Sequence, residues 1–257
     1  MKISLIQSDI IWANIQVNLK RFEILIAQVP TETEIVILPE MFATGFTMQA
    51  QDFPVPVGQE VFYWLQKQAE IHQKIIVGSV LTEENGKYYN RMYWMQPNGK
   101  YEYYDKQHLF HQAGEDKLMT AGNKRTIISF NGIKFMLQIC YDLRFPIGSR
   151  NRYDRQNDTF DYDAIIYIAN WPEVRKQAYL PLLKARAIEN QSYVIWVNRV
   201  GVDGNRINHS GNSQIIDAQG NILVEAKAFS EQILSFDLNI ASLYAYRKEF
   251  KVGLDWD

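Results

Sequence analysis

The feature that most limits what this chain can fold into is a set of short runs that are apolar at almost every position. Ile35 to Leu38 is one, Ile75 to Val80 a second, Ala164 to Ala169 a third and Tyr193 to Val197 a fourth. A strand with one wet face alternates apolar and polar residues, so runs without alternation belong to strands covered on both faces. Between them lie apolar stripes at helical spacing. Ile15, Leu19, Phe22 and Ile26 follow the N-cap candidate Asn14, and Val61, Trp64, Leu65, Ala69 and Ile71 point a second helix, expected over Glu60 to Lys74, toward the core. A third helix is expected over Tyr179 to Gln191.

Other segments read as hairpins. Asn85-Gly86 and Pro97-Asn98-Gly99 punctuate tyrosine-rich runs between Glu83 and Lys106, Asn131-Gly132 feeds the run Ile133 to Ile139, and Gln214 to Val224 is a last hairpin before a C-terminal tail rich in Tyr and Phe. Residues 2 to 7 form a first strand. Helices alternating with strands, with hairpins mixed in, do not suit a purely parallel doubly wound sheet; a layered α/β sandwich with mixed sheets fits better. Composition does not decide between one sheet and two facing sheets. No Pro/Gly/Ser-rich linker divides the chain, so one domain over 1–257 is expected.

Charge and cysteine usage narrow the function classes. A formal net charge of -2 gives no bulk attraction to nucleic acid or to an anionic membrane. No apolar run approaches the roughly 18 to 20 residues of a membrane span. One cysteine excludes an intramolecular disulfide and suits a reducing compartment, and the N-terminus meets polar residues too early for a signal peptide, so a cytoplasmic location is expected. His72, His108, His111 and His209 do not fall at metal-ligand spacing, and no Gly-rich phosphate loop occurs; neither metal nor cofactor is expected.

Three polar residues recur where a strand runs out. Glu40 ends Ile35 to Leu38, Lys106 ends Tyr101 to Tyr104, and Cys140, the single cysteine, ends Ile133 to Ile139. Each alone is unremarked: a lone Cys is usually a small buried hydrophobe, and Glu and Lys usually lie in solvent. Strand ends at one edge of a sheet are where α/β proteins assemble sites, so the combination carries the argument. A thiol needs a base to become nucleophilic, and the oxyanion formed by its attack needs a fixed cation. A carboxylate and an ammonium beside Cys140 supply both, with the backbone N–H of Tyr141 as a second oxyanion donor. The reaction class is acyl transfer from a carbon–nitrogen bond through a thioester, and the partner a small-molecule amide.

Leu38-Pro39-Glu40-Met41-Phe42, Tyr104-Asp105-Lys106-Gln107-His108-Leu109-Phe110 and Ile139-Cys140-Tyr141-Asp142-Leu143-Arg144-Phe145-Pro146 resemble, in order and spacing, the three catalytic signatures of the nitrilase superfamily of carbon–nitrogen hydrolases. The resemblance runs from the first strand to Gly211-Asn212-Ser213. It implies a four-layer α-β-β-α sandwich with two mixed sheets and a homodimer. It also implies Glu40 as general base, Lys106 as oxyanion-stabilising cation and Cys140 as nucleophile. A second family glutamate in the loop after the lysine motif corresponds to Glu115, with Asp116 an adjacent rival. Many members carry a glutamate after Arg-Phe-Pro, where this chain has Ile147, so no helper role is carried over from there.

Together with Asn170-Trp171-Pro172, Arg186-Ala187-Ile188-Glu189-Asn190 and Asn198-Arg199-Val200-Gly201, these motifs look most like the omega-amidase branch, whose members hydrolyse the terminal amide of 2-oxoglutaramate and 2-oxosuccinamate. The alternatives are a nitrilase, an N-carbamoyl amidohydrolase, a deaminated-glutathione amidase, or a binding protein that keeps the fold without turnover. An anionic substrate needs a cation away from the reacting amide. Arg144 has that role in one reading and pairs with Asp142 as scaffold in the other. Trp171, Phe42 and Phe110 are the expected aromatic walls.

Overall fold

The computed structural model describes residues 1–48 and 57–256. Most of its strands form two six-stranded mixed sheets, and two short two-stranded ribbons complete the described strands. In the first, Lys2–Gln7, Ile35–Ile37 and Ile75–Glu84 run parallel. Gln232–Asp237 lies antiparallel on one edge, and Lys87–Met95 then Tyr101–Asp105 continue antiparallel on the other. In the second, Ile133–Ile139, Ala164–Ala169 and Tyr193–Asn198 are the parallel centre. Ile127–Phe130 is antiparallel on one side, and Gln214–Ile216 then Ile222–Glu225 on the other.

The apolar runs behave as their composition demands. Ile35 and Ile37 join the core shared with the second sheet, whereas Val36 and Leu38 face the core formed with the helices Ile15–Ala27 and Val57–His72. Tyr179, Leu183 and Ala187 of the helix Lys176–Asn190 pack on the second sheet. The layers are therefore helix, sheet, sheet, helix. Burying apolar side chains on both faces at roughly 25 cal/mol per Å² is what holds such layers together.

Local signals are also realised. The Asn14 side chain accepts the Val17 N–H at 3.3 Å and caps the first helix. Asn85 and Gly86 take positive φ values of 55° and 73°, the twist a two-residue hairpin needs, between Ile75–Glu84 and Lys87–Met95. Two expectations fail. Ile71 is 58% exposed: the stripe that buries Val61, Trp64, Leu65 and Ala69 leaves it on the solvent side. The C-terminal residues are no mere tail, because Gln232–Asp237 completes the first sheet against Lys2–Gln7 and Ile240–Glu249 forms a helix. That strand is only half-buried, so its sequence pattern is weak, and its partner lies at the other end of the chain.

Candidate active site

The turn after Ile133–Ile139 is built around one carboxylate. Cys140 stands at φ 47°, a left-handed conformation unfavourable for a residue with a Cβ, at the start of the 3₁₀ turn Cys140–Arg144. Asp142, fully buried, compensates by accepting the Ile139 N–H at 3.0 Å and the Tyr104 hydroxyl at 2.9 Å on one oxygen. Its other oxygen takes the His108 N–H at 2.9 Å and meets His108 Nδ1 at 2.8 Å. Asp142 thus fixes the elbow, and it does not pair with Arg144. Of the two readings of Arg144, the scaffold ion pair is absent.

Glu40, Lys106 and Glu115 converge beside this elbow. Lys106 follows the strand Tyr101–Asp105, its backbone N–H bound to Asn90 O at 3.0 Å. Its Nζ donates to Glu40 Oε1 at 2.9 Å and to both oxygens of Glu115 at 3.0 Å. The Asn170 N–H reaches Glu40 Oε2 at 2.7 Å, and the Asn170 side-chain amide donates to the Glu40 carbonyl. Asn90 donates one amide to both carboxylates, at 2.8 Å to Glu40 and 3.4 Å to Glu115. The Phe110 N–H completes Glu115 at 2.6 Å. Asp116, the rival, instead pairs with His111 at 3.0 Å, away from the lysine.

Burial shapes the electrostatics. Glu40, Glu115 and Lys106 are at most 1% exposed. Desolvation alone would lower the Lys106 pKa, but the carboxylates of Glu115 and Glu40 outweigh it and the net shift is upward, so the side chain is a fixed ammonium. Burial pushes the Glu115 carboxyl up, against the pull of Lys106. The Cys140 thiol is raised well above its usual value, chiefly by desolvation and then by the charge of Glu40; Lys106 opposes the shift. The resting sulfur is a neutral thiol that feels the charges of both Glu40 and Lys106.

Cys140 and Lys106 open onto a cavity of about 520 Å³, whose wall includes Phe110, Tyr141, Arg144, Trp171, Arg175 and His209. Arg144, Trp171 and Phe110 therefore lie where the sequence placed them. Phe42 does not: it is fully buried between Phe22 and Trp64, at ring distances of 5.3 and 5.5 Å, as part of the helix-facing core. Its position after the Glu40 turn is followed by a return into the layer beneath. Ile147 is 92% exposed and stands outside the cavity wall. Asn90 and Arg175 were not singled out, and Asp142 was named only as a partner for Arg144. The available signals were a lone Asn inside a tyrosine-rich strand, an Asp two positions past the cysteine, and an Arg three positions past Trp171-Pro172.

The carbon–nitrogen hydrolase family model matches residues 2–248. The chain belongs to this family. It is 39% identical to the omega-amidase YafV of Yersinia enterocolitica, over all of this chain and 97% of that protein. It is 33% identical to a 2-oxoglutaramate amidase of Bacillus subtilis, over 87% and 85% of the two chains. Among solved structures, XC1258 of Xanthomonas campestris, a CN-hydrolase superfamily protein with an arsenic adduct in its active site, superposes with a TM-score of 0.95 at 37% identity, covering all of this chain and 97% of that one. The protein is an amide-hydrolysing enzyme of the nitrilase superfamily. Among the described residues, no helix of this hydrolase is long and apolar enough to cross a membrane.

Proposed function

We propose that this hydrolase cleaves the terminal amide of small 2-oxo dicarboxylic acid monoamides, 2-oxoglutaramate and 2-oxosuccinamate, through a thioester on Cys140. The observation that carries the reading is the Lys106 ammonium held between Glu40 and Glu115 beside a neutral Cys140 thiol. Cys140 attacks the amide carbon as Glu40 takes its proton. The oxyanion is stabilised by Lys106 and the Tyr141 N–H. Glu40 then returns the proton to the departing ammonia, and later activates the water that attacks the thioester and frees the acid and the thiol. Glu115 orients Lys106 and balances its charge.

Substrate assignment rests on the half-buried Arg144 in the cavity wall, with Trp171 and Phe110 as flat apolar neighbours, and on the names of the relatives. Family resemblance supports a homodimer, and a single thiol suits a reducing, cytoplasmic setting.

Following ammonia release from 2-oxoglutaramate, 2-oxosuccinamate, an N-carbamoyl amino acid and a nitrile, and cysteinylglycine release from deaminated glutathione, tests the assignment. The two 2-oxo acid monoamides should give the highest kcat/KM. Preference for another member of the panel would move the enzyme to that branch, and no turnover on any compound would leave the binding-protein reading.

A further inference from the structure

Buried arginines that hold this fold are paired with carboxylates. Arg91 binds Asp105 at 2.6 Å, Arg199 binds Asp9 at 2.6 Å and Arg247 binds Asp163 at 2.7 Å. Arg144 and Arg175, in the cavity wall, have no carboxylate partner among the described residues. The Arg144 guanidinium rests 5.0 Å from the Trp171 ring and 6.0 Å from that of Tyr141. Arg175 ends the 3₁₀ turn Glu173–Arg175, where its carbonyl accepts the Trp171 indole N–H at 3.2 Å. Its guanidinium lies 5.2 Å from the Phe110 ring and donates to Gln112 Oε1 at 3.3 Å. Phe110 and Tyr141 meet edge to face at 5.0 Å, so two packed rings link the two cations along one wall. The wall's carboxylate, Asp203, is engaged by the N–H groups of Asn205 and Ile207 at 2.8 and 3.0 Å.

The charge distribution is polarised. At the buried end, Glu40 and Glu115 outnumber Lys106 and leave a formal excess of negative charge. Farther along the wall stand two guanidiniums without a carboxylate partner among the described residues, each positioned on an aromatic face and each still able to donate in a fork. A substrate with an amide at one end and an anion at the other is admitted in one orientation only.

Resting on the amidase reading above, we propose that Arg175 is a second anion-recognition residue of this hydrolase, taking the substrate's distal carboxylate jointly with Arg144. The preferred class is then amides whose far end is a carboxylate with a further acceptor oxygen beside it. An α-ammonium at that end, as in glutamine, faces two cations and is disfavoured.

Steady-state kinetics on 2-oxoglutaramate and on uncharged pentanamide test this, with calorimetric titration of 2-oxoglutarate into the same proteins as a readout independent of turnover. Arg175→Gln should raise KM for 2-oxoglutaramate about 10- to 100-fold with kcat little changed, leave kcat/KM for pentanamide within about twofold, and weaken 2-oxoglutarate binding by a similar factor. Arg175→Lys should recover part of the loss, and carries the comparison if the glutamine variant melts early. Equal losses on both amides, or undiminished 2-oxoglutarate binding, would overturn the assignment. If the wild type releases ammonia from no amide, the proposed reaction fails, while the titration still decides whether Arg175 reads a carboxylate.

Discussion

The two ends of the cavity differ in how their polar atoms are used. Around Cys140, the deeply buried carboxylates of Glu40 and Glu115 accept from Lys106, Asn90, Asn170 and the Phe110 backbone. Along the outer wall, Arg144 and Arg175 touch ring faces, and their only hydrogen bond to a side chain among the described residues is the 3.3 Å contact to Gln112. There the Lys106 ammonium and all four carboxylate oxygens are engaged, although Oδ1 of Asn90 and of Asn170 is buried without a partner; such a network holds charged groups at fixed distances before substrate arrives, which is what oxyanion stabilisation needs. An unsaturated one keeps donors free for a ligand. On the proposed function, chemistry and selection are separated, so substitutions at the two ends should fail differently.

The largest effect is expected from Lys106→Met. It removes the proposed oxyanion cation and leaves two buried carboxylates uncompensated, so kcat should fall about 10³-fold or more, and urea unfolding should show a loss of about 3 to 5 kcal/mol. A variant within tenfold of wild type, at unchanged stability, would break the claim that the engaged charges at this end are organised for catalysis.

His209, on the cavity wall, gives the next contrast. Burial, and then the charge of Arg199, lower its pKa from the usual 6.5 to about 4. The unfolded chain therefore takes up this proton first. The stabilisation is complete above about pH 6.5 and is lost as pH falls toward 4, amounting to about 3 kcal/mol. Chemical denaturation of His209→Gln across that window should show a flatter pH dependence than the wild type. Parallel curves would mean that the fold does not shift the titration of His209.

A smaller, purely kinetic effect is expected at Asn90, a positioning residue. Asn90→Ala removes the donor shared by Glu40 and Glu115 but keeps the backbone carbonyl that holds Lys106, so kcat should drop about 10- to 100-fold with KM for 2-oxoglutaramate nearly unchanged. A rise in KM alone would place Asn90 with the selecting residues and blur the division.

The same division explains what could be read from the sequence. Glu40, Lys106 and Cys140 were legible because each closes a strand and carries a local motif. Glu115 was legible only as one of two neighbours, since a side chain's direction from a four-residue helix is not encoded in spacing. Arg144 stayed ambiguous because Asp142 was an equally near partner in sequence; the structure gives Asp142 to Ile139, Tyr104 and His108 instead. Phe42 followed the motif but not the cavity, since aromatic residues serve core and wall alike. Layers were legible wherever both faces of a strand are buried, as at Ile35–Ile37, and illegible at the half-buried edge Gln232–Asp237, where pairing with Lys2–Gln7 is set by the whole chain.

The central claim is that Cys140 becomes acylated while Glu40 handles its proton, and rapid-quench intact-mass analysis during turnover of 2-oxoglutaramate addresses it most directly. The account predicts a transient adduct equal to substrate minus ammonia, mapped by peptide digestion to Cys140, absent in Cys140→Ala and slowed in both formation and decay in Glu40→Gln. Ammonia release at an undiminished rate from Cys140→Ala would contradict it.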